Sequence, residues 1–67
     1  MGLQNLRRIE SLMGQDSSVA YSPVKIRDLL GINYYTVKDV LEYLIFVGRV
    51  VKVDSGSKLG TYRWRSG

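Results

Sequence analysis

The stretch that decides the fold is Ile26 to Tyr62, which reads IRDLLGINYYTVKDVLEYLIFVGRVVKVDSGSKLGTY. Apolar residues recur every three or four positions in its first part, which predicts a short helix, a turn at Gly31 and a longer helix. The β-branched run that follows, the Gly-Ser turn and the alternating end predict a basic β-hairpin. This order of elements indicates a small α+β domain.

The second helix has clear start and stop signals. Ser22 is a strong N-cap residue, and Pro23 has the backbone angle that the first helical position needs. We predict a helix over about 23–30, ended by Gly31 in a left-handed conformation. Three of its apolar residues are expected to be buried: Ile26, Leu29 and Leu30.

The third helix is predicted over about 34–47, with Asn33 as its N-cap and Gly48 as its stop. Its pattern is strongly two-sided. The inward face is expected to hold Thr36, Val37, Val40, Leu41, Leu44 and Val47. The outward face is expected to hold Tyr34, Tyr35, Lys38, Asp39 and Glu42. Ile32 precedes this helix and is expected to enter the core.

Upstream, a first helix is predicted over about 3–13. Its inward face is expected to hold Leu6, Ile9, Leu12 and Met13. Arg7 and Arg8 are expected on the solvated side, and Leu3 lies off the apolar stripe and is expected to be exposed. Residues 19–21, before the second helix, favour a very short strand.

The hairpin is predicted over about 49–65. Alternation places Tyr62 and Trp64 inward, with Trp64 in the core, and Arg63 and Arg65 outward. The first hairpin strand has valines on both faces, so its register stays open. Lys52 shares a face with the two arginines only if Val51 and Val53 point inward.

Residues 26–62 resemble the winged helix-turn-helix superfamily of transcriptional regulators, including the arsenic-repressor-like, multiple-antibiotic-repressor-like and leucine-responsive groups of bacteria and archaea, and small archaeal-virus regulators. The elements that carry the resemblance are Leu30-Gly31-Ile32-Asn33, Thr36-Val37, Leu41-Glu42-Tyr43-Leu44, Gly48 and a basic hairpin that closes on Tyr62. The resemblance implies one winged-helix domain over 1–67, with three helices and a C-terminal wing.

The resemblance also implies that the third helix is a recognition helix that contacts double-stranded DNA. Its expected DNA-binding residues are Asn33, Tyr34, Tyr35 and Lys38. Lys52, Lys58, Arg63 and Arg65 of the hairpin are expected to contact the DNA backbone. A DNA-binding transcription regulator, working as a homodimer on two half-sites or as a subunit of something larger, is therefore the leading prediction.

The charge distribution supports a polyanion partner at the hairpin. Residues 1–48 carry five basic and five acidic side chains, whereas residues 49–67 carry five basic and one acidic, so the net charge of +4 lies in the last nineteen residues. Asp39 and Glu42 outweigh Lys38 on the outward face of the third helix. We therefore expect the hairpin to supply most of any affinity for DNA.

Each of these features has a plainer interpretation. The hairpin cations could protect a solvated edge strand, the tyrosines could half-bury in the first helical turn, and Lys38 and its acidic neighbours could form an ordinary solvated face. Ile45 and Phe46 either pack under the first helix or the hairpin base, or form an association patch with Leu3. With a patch of this kind, a protein-interaction module of a larger assembly is the alternative function.

Composition argues against several other classes. The chain has no Cys and no His, so no disulfide, zinc site or thiolate or imidazole nucleophile is expected. The carboxylates show no paired arrangement, and no Gly-rich phosphate loop is present. We expect no enzyme activity, no catalytic or metal-binding residues and no cofactor. Without a long apolar run or a signal-peptide pattern, an intracellular, cytoplasmic protein with no membrane partner is expected.

Overall fold

The computed structural model describes residues 3–53 and 60–65, and they form an α+β fold, as predicted. Within these ranges three helices accompany a three-stranded antiparallel sheet. The elements are α1 Leu3–Gly14, β1 Ala20–Tyr21, α2 Pro23–Leu30, α3 Tyr34–Phe46, β2 Val50–Val53 and β3 Thr61–Trp64. Each helix begins and ends within one residue of its predicted bounds.

The connection between α2 and α3 is a three-residue turn that is specified by local chemistry. The Ser22 hydroxyl accepts a hydrogen bond from the Lys25 N–H at 3.1 Å and caps the start of α2. Gly31 has φ +67, the left-handed conformation predicted for it, and its N–H donates to the Arg27 carbonyl at 2.8 Å. The Asn33 side chain then accepts from the Tyr35 N–H at 2.9 Å, which begins α3. Both caps are confirmed.

The core is built around one stripe of α3. Val37, Val40, Leu41 and Leu44 are fully buried there, as the helical spacing predicted. The other elements contribute the rest of the core: Ile9, Met13, Ile26, Ile32, Val50 and Tyr62. Because α3 contacts α1, α2 and β2, its buried stripe joins the helices to the sheet.

The strand order is β1-β3-β2, so β3 is the central strand. Val50 lies opposite Trp64, and Lys52 lies opposite Tyr62, on the face that packs against the core. Val51 lies opposite Arg63 on the outer face. This register shows which valines of the first hairpin strand face inward, which the sequence left open. Val50 is buried, whereas Val51 is half-buried on the outer face.

Two residues predicted to be buried are exposed. Leu29 is 55% exposed because α2 is short and its inward stripe, at about 100° per residue, follows Pro23, Ile26 and Leu30. Val47 is also exposed because α3 ends at Phe46. As the C-cap residue, Val47 has already left the line of the buried stripe.

The left-handed turn at Gly31 generates a stability prediction. A Cβ at Gly31 would meet no atom within 4 Å, so Gly31→Ala tests backbone strain alone. We expect it to lower the free energy of unfolding by about 1 kcal/mol. Gly14→Ala is the control, since Gly14 is helical and its added Cβ would make an ordinary contact with the Trp64 ring at 3.8 Å. It should stabilise by about 0.5–1 kcal/mol. Urea unfolding measures both, and equal shifts would contradict the assignment.

Candidate functional site

The face of α3 opposite the core presents a continuous row of four exposed side chains. We call this the α3 row: Tyr35, Asp39, Glu42 and Phe46. Its members are spaced four, three and four residues apart, so they lie on one line along the helix. Tyr35 is 74% exposed and Phe46 is 88% exposed, with the two carboxylates between them.

The four predicted DNA-binding residues of α3 are not equally accessible. Tyr35 points into solvent, whereas Tyr34 and Lys38 are half-buried. The two tyrosine rings meet edge to face, with centroids 5.6 Å apart and planes at 81°. Asn33 is exposed, but its side-chain oxygen already accepts the capping hydrogen bond. Tyr35 is therefore the most accessible of the four.

Arg63 lies on β3 and Arg65 directly follows that strand, so alternation places both on the outer side of the sheet. Arg63 is on the outer face of the central strand, flanked by Ala20 of β1 and Val51 of β2. Since β3 is paired on both sides, protection of a sheet edge does not account for Arg63. The N–H of Arg65 donates to the Arg49 carbonyl at 2.8 Å, where the chain leaves α3 and enters β2.

Lys52 does not share the outer face with Arg63. It lies opposite Tyr62, so the register that would have joined it to the arginines is absent. Its side chain instead reaches over Gly60, where a Cβ would lie 3.0 Å from the lysine Cε. Lys58, which was also predicted to contact DNA, lies outside the described residues.

The residues predicted to form an association patch occupy two separate surfaces. Phe46 is 88% exposed at the end of α3, so it is not packed under α1 or the base of the hairpin, whereas Ile45 is only 38% exposed. Tyr43 and Val47 beside them are exposed as well. Leu3 is 63% exposed, but it belongs to α1. The structure therefore offers two exposed apolar surfaces on different helices.

Leu3 is part of a groove between α1 and the end of α2, which we call the α1–α2 groove. The groove has a volume of about 680 Å³ and three leucines in its lining: Leu3, Leu12 and Leu30. Arg7 and Arg8 also line it, and its remaining lining side chains are uncharged. One Arg8 guanidinium nitrogen donates to the Leu30 carbonyl at 2.6 Å. This hydrogen bond ties α1 to the C-terminal end of α2.

Arg7 and Arg8 are both exposed, as predicted, but the groove beside them was not predicted from the sequence. Within its exposed position Arg8 bonds the end of α2, because a helix C-terminus has unpaired carbonyl groups and a partial negative charge. The sequence does contain a signal for this groove, since Leu3 lies four residues before Arg7 and Leu12 lies four residues after Arg8. Which element faces that surface is decided only by the tertiary fold.

In the described part of the chain, no group of three or more acidic, His or Cys side chains could hold a metal ion. No helix of residues 3–53 is long and apolar enough to cross a membrane.

Comparisons of this chain with protein-family models, with curated proteins and with solved structures gave no match.

The hydrogen bond from Arg8 to α2 generates a second stability prediction. Arg8→Ala removes a charged donor from an otherwise unpaired carbonyl and from the negative end of the helix dipole. We expect it to lower the free energy of unfolding by about 0.5–1.5 kcal/mol. The adjacent Arg7→Ala removes the same charge without this hydrogen bond and should change stability by less than about 0.5 kcal/mol. Thermal unfolding of both variants tests this, and two equal losses would count against the bond.

Proposed function

We propose that this chain is a winged helix-turn-helix protein that binds double-stranded DNA and acts as a small transcriptional regulator. The observation that supports this best is the succession of α2, a three-residue turn, α3 and a hairpin that carries outward-facing arginines. In such an arrangement the second helix of the pair can enter a major groove, which is about 12 Å wide.

In this proposal the first turn of α3 approaches the DNA. Tyr35 supplies a hydroxyl for a phosphate and a ring for a thymine methyl group, and Lys38 supplies a cation for a guanine edge or a phosphate. The N-terminal end of α3 carries a partial positive charge that favours a nearby phosphate. These groups would set the position of α3 on the DNA and the preference of the protein for particular base sequences.

Most of the affinity is assigned to the hairpin. Asp39 and Glu42 are both exposed on α3 and repel phosphate, whereas Lys38 is half-buried. Three cations of this region are exposed: Lys52 on β2, Arg63 on β3 and Arg65 directly after β3. The one ion pair within the described residues is Arg27–Asp28, at 3.0 Å, so these three cations form no salt bridge there. They are available to neutralise phosphates.

A homodimer would extend the interface. Two copies related by a two-fold axis would double the basic surface and would contact half-sites about one helical turn, ~34 Å, apart. Operator sites with this spacing are the expected targets.

The alternative function is a winged-helix protein-interaction module of a larger assembly. The exposure of Phe46 at 88%, beside exposed Ile45 and Tyr43, favours this alternative, because large apolar side chains gathered on a surface mark a contact site. Titration with random duplex DNA at several salt concentrations separates the two functions. Binding that strengthens steeply as the salt concentration falls supports DNA as the partner, and its absence at low salt supports the alternative.

The assignment of affinity to the hairpin can be measured through its salt dependence. Each phosphate neutralised contributes about −0.9 to the slope of log K against log salt on B-form DNA. We expect Arg63→Ala/Arg65→Ala to flatten that slope by about 1–2. The control Arg7→Ala/Arg27→Ala removes the same charge from α1 and α2 and should leave the slope within about 0.5 of the wild-type value. A slope unchanged by the hairpin variant would refute the assignment.

The acidic face of α3 gives a prediction of the opposite sign. Asp39→Asn removes a repulsive charge with almost no change in shape, so affinity for random DNA should rise by roughly threefold at low salt. Glu10→Gln on α1 removes the same charge outside the proposed interface and should have little effect. Tyr35→Phe and Lys38→Gln should instead alter the preferred site, as read by selection from a random library. Weaker binding of Asp39→Asn to every sequence would show that Asp39 does not face the DNA.

A further inference from the structure

Three features are left unexplained by DNA binding: the carboxylates of the α3 row, the exposed Phe46 and the α1–α2 groove. We propose that they form one contact, in which the α3 row of one copy binds in the α1–α2 groove of a second copy. The chain would then associate head to tail through two different surfaces. This inference goes beyond the proposed function and does not depend on it.

The two surfaces have the same order of chemical groups. The groove side of α1 has Leu3, then the pair Arg7 and Arg8, then Leu12. The α3 row has an aromatic residue at each end, Tyr35 and Phe46, and two carboxylates between them. Along the helix axes, at 1.5 Å per residue, Leu3 to Leu12 spans about 14 Å and Tyr35 to Phe46 spans about 17 Å. Leu3 and Leu12 lie on opposite edges of the groove side of α1, about 180° apart around its axis, so the partner's α3 must cross α1 obliquely. In each surface a charged centre is flanked by apolar ends.

The charges of the two surfaces are complementary. Both charged groups that line the groove are cations, and both charged groups of the α3 row are anions. If α3 lies antiparallel to α1 of the other copy, Glu42 meets Arg7 and Asp39 meets Arg8. Arginine suits carboxylate partners because its planar group can donate two parallel hydrogen bonds. The hydrogen bond from Arg8 to the Leu30 carbonyl holds that arginine in the groove before the partner arrives.

The apolar ends are complementary in the same orientation. Phe46 of the α3 row meets Leu3, and Tyr35 meets Leu12 and Leu30. Phe46 and Leu3 are among the most exposed large apolar side chains in the described residues, and this contact would remove both from water. A helix that lays such anchors into a groove is a common recognition mode. The surfaces are small, so we expect weak association, with a dissociation constant of roughly tens of micromolar.

This contact differs in kind from a two-fold dimer. A contact between two different surfaces leaves one of each unfilled, so it continues into a chain unless its rotation closes a ring. It would also cover Tyr35, which the proposed function places against DNA. Association would therefore compete with DNA binding. Because association is measured without DNA, failure of the head-to-tail contact and failure of DNA binding are separate results.

Charge reversal gives a direct test by sedimentation velocity at low salt over a range of protein concentrations. Wild type should show a mean mass that rises with concentration. Arg7→Glu/Arg8→Glu makes the groove acidic against an acidic row, and Asp39→Lys/Glu42→Lys makes the row basic against a basic groove. Each variant alone should associate at least about tenfold more weakly, because like charges then face each other. An equimolar mixture should recover association, since each variant supplies the partner that the other requires.

The controls separate this contact from general charge effects and from unfolding. Lys25→Glu/Arg27→Glu makes the same change in net charge outside the groove and should associate alone as wild type does. Arg7→Glu alone keeps the hydrogen bond of Arg8 and should still weaken association, which covers a loss of folding in the double variant. Circular dichroism checks each fold. A wild type that stays monomeric at high micromolar concentration, or a charge-reversed mixture that stays monomeric, overturns the proposal.

The apolar ends allow a second test that distinguishes head-to-tail from two-fold association. Leu3→Ser impairs the groove and leaves the row intact, whereas Phe46→Ser impairs the row and leaves the groove intact. Each variant alone should be largely monomeric, and their mixture should form dimers that grow no further. If Leu3→Ser alone still associates as wild type does, α3 contacts its own counterpart and the head-to-tail contact is wrong.

Discussion

The buried stripe of α3, formed by Val37, Val40, Leu41 and Leu44, is the constraint on which the rest of the structure depends. Full burial of each such side chain is worth about 1.5–3 kcal/mol, a large amount for a domain of 67 residues. The stripe packs against both other helices and the first hairpin strand. α3 therefore cannot rotate about its axis without exposing the core, and its outward residues are fixed by what lies beneath them.

Because the buried stripe fixes the rotation of α3 about its axis, the α3 row always faces away from the core. The two carboxylates at its centre oppose the entry of α3 into a DNA groove, since carboxylates and phosphates repel each other. A hairpin rich in cations compensates in part, which is why we assign affinity to the hairpin and sequence preference to α3. The same acidic row suits a cationic groove, and the chain has one between α1 and α2.

The sheet order has a related consequence for the cations. With β3 in the centre, Arg63 lies on a surface bounded by two neighbouring strands, whereas Arg65 lies at the junction of α3 and β2. Lys52 faces the other side. Among the described cations of the last nineteen residues, Lys52 therefore lies on a different face of the sheet from Arg63. DNA bound at the hairpin would meet some of these cations and not others, so we assign affinity to particular arginines and not to the net charge.

Local chemistry was enough to predict much of this protein. The caps at Ser22 and Asn33, the left-handed Gly31 and the inward stripe of α3 follow from residue type and spacing, because they depend on hydrogen bonds and periodicities within one element. The exposure of Leu3 followed from the same reasoning, whereas Phe46 was left open between packing under a neighbouring element and exposure. The sequence did not decide the register of β2, since valines on both faces make either alternation acceptable. The exposure of Leu29 and the hydrogen bond from Arg8 to Leu30 were likewise decided only when separate elements packed together. Such features depend on which surfaces meet, and that is a property of the tertiary structure.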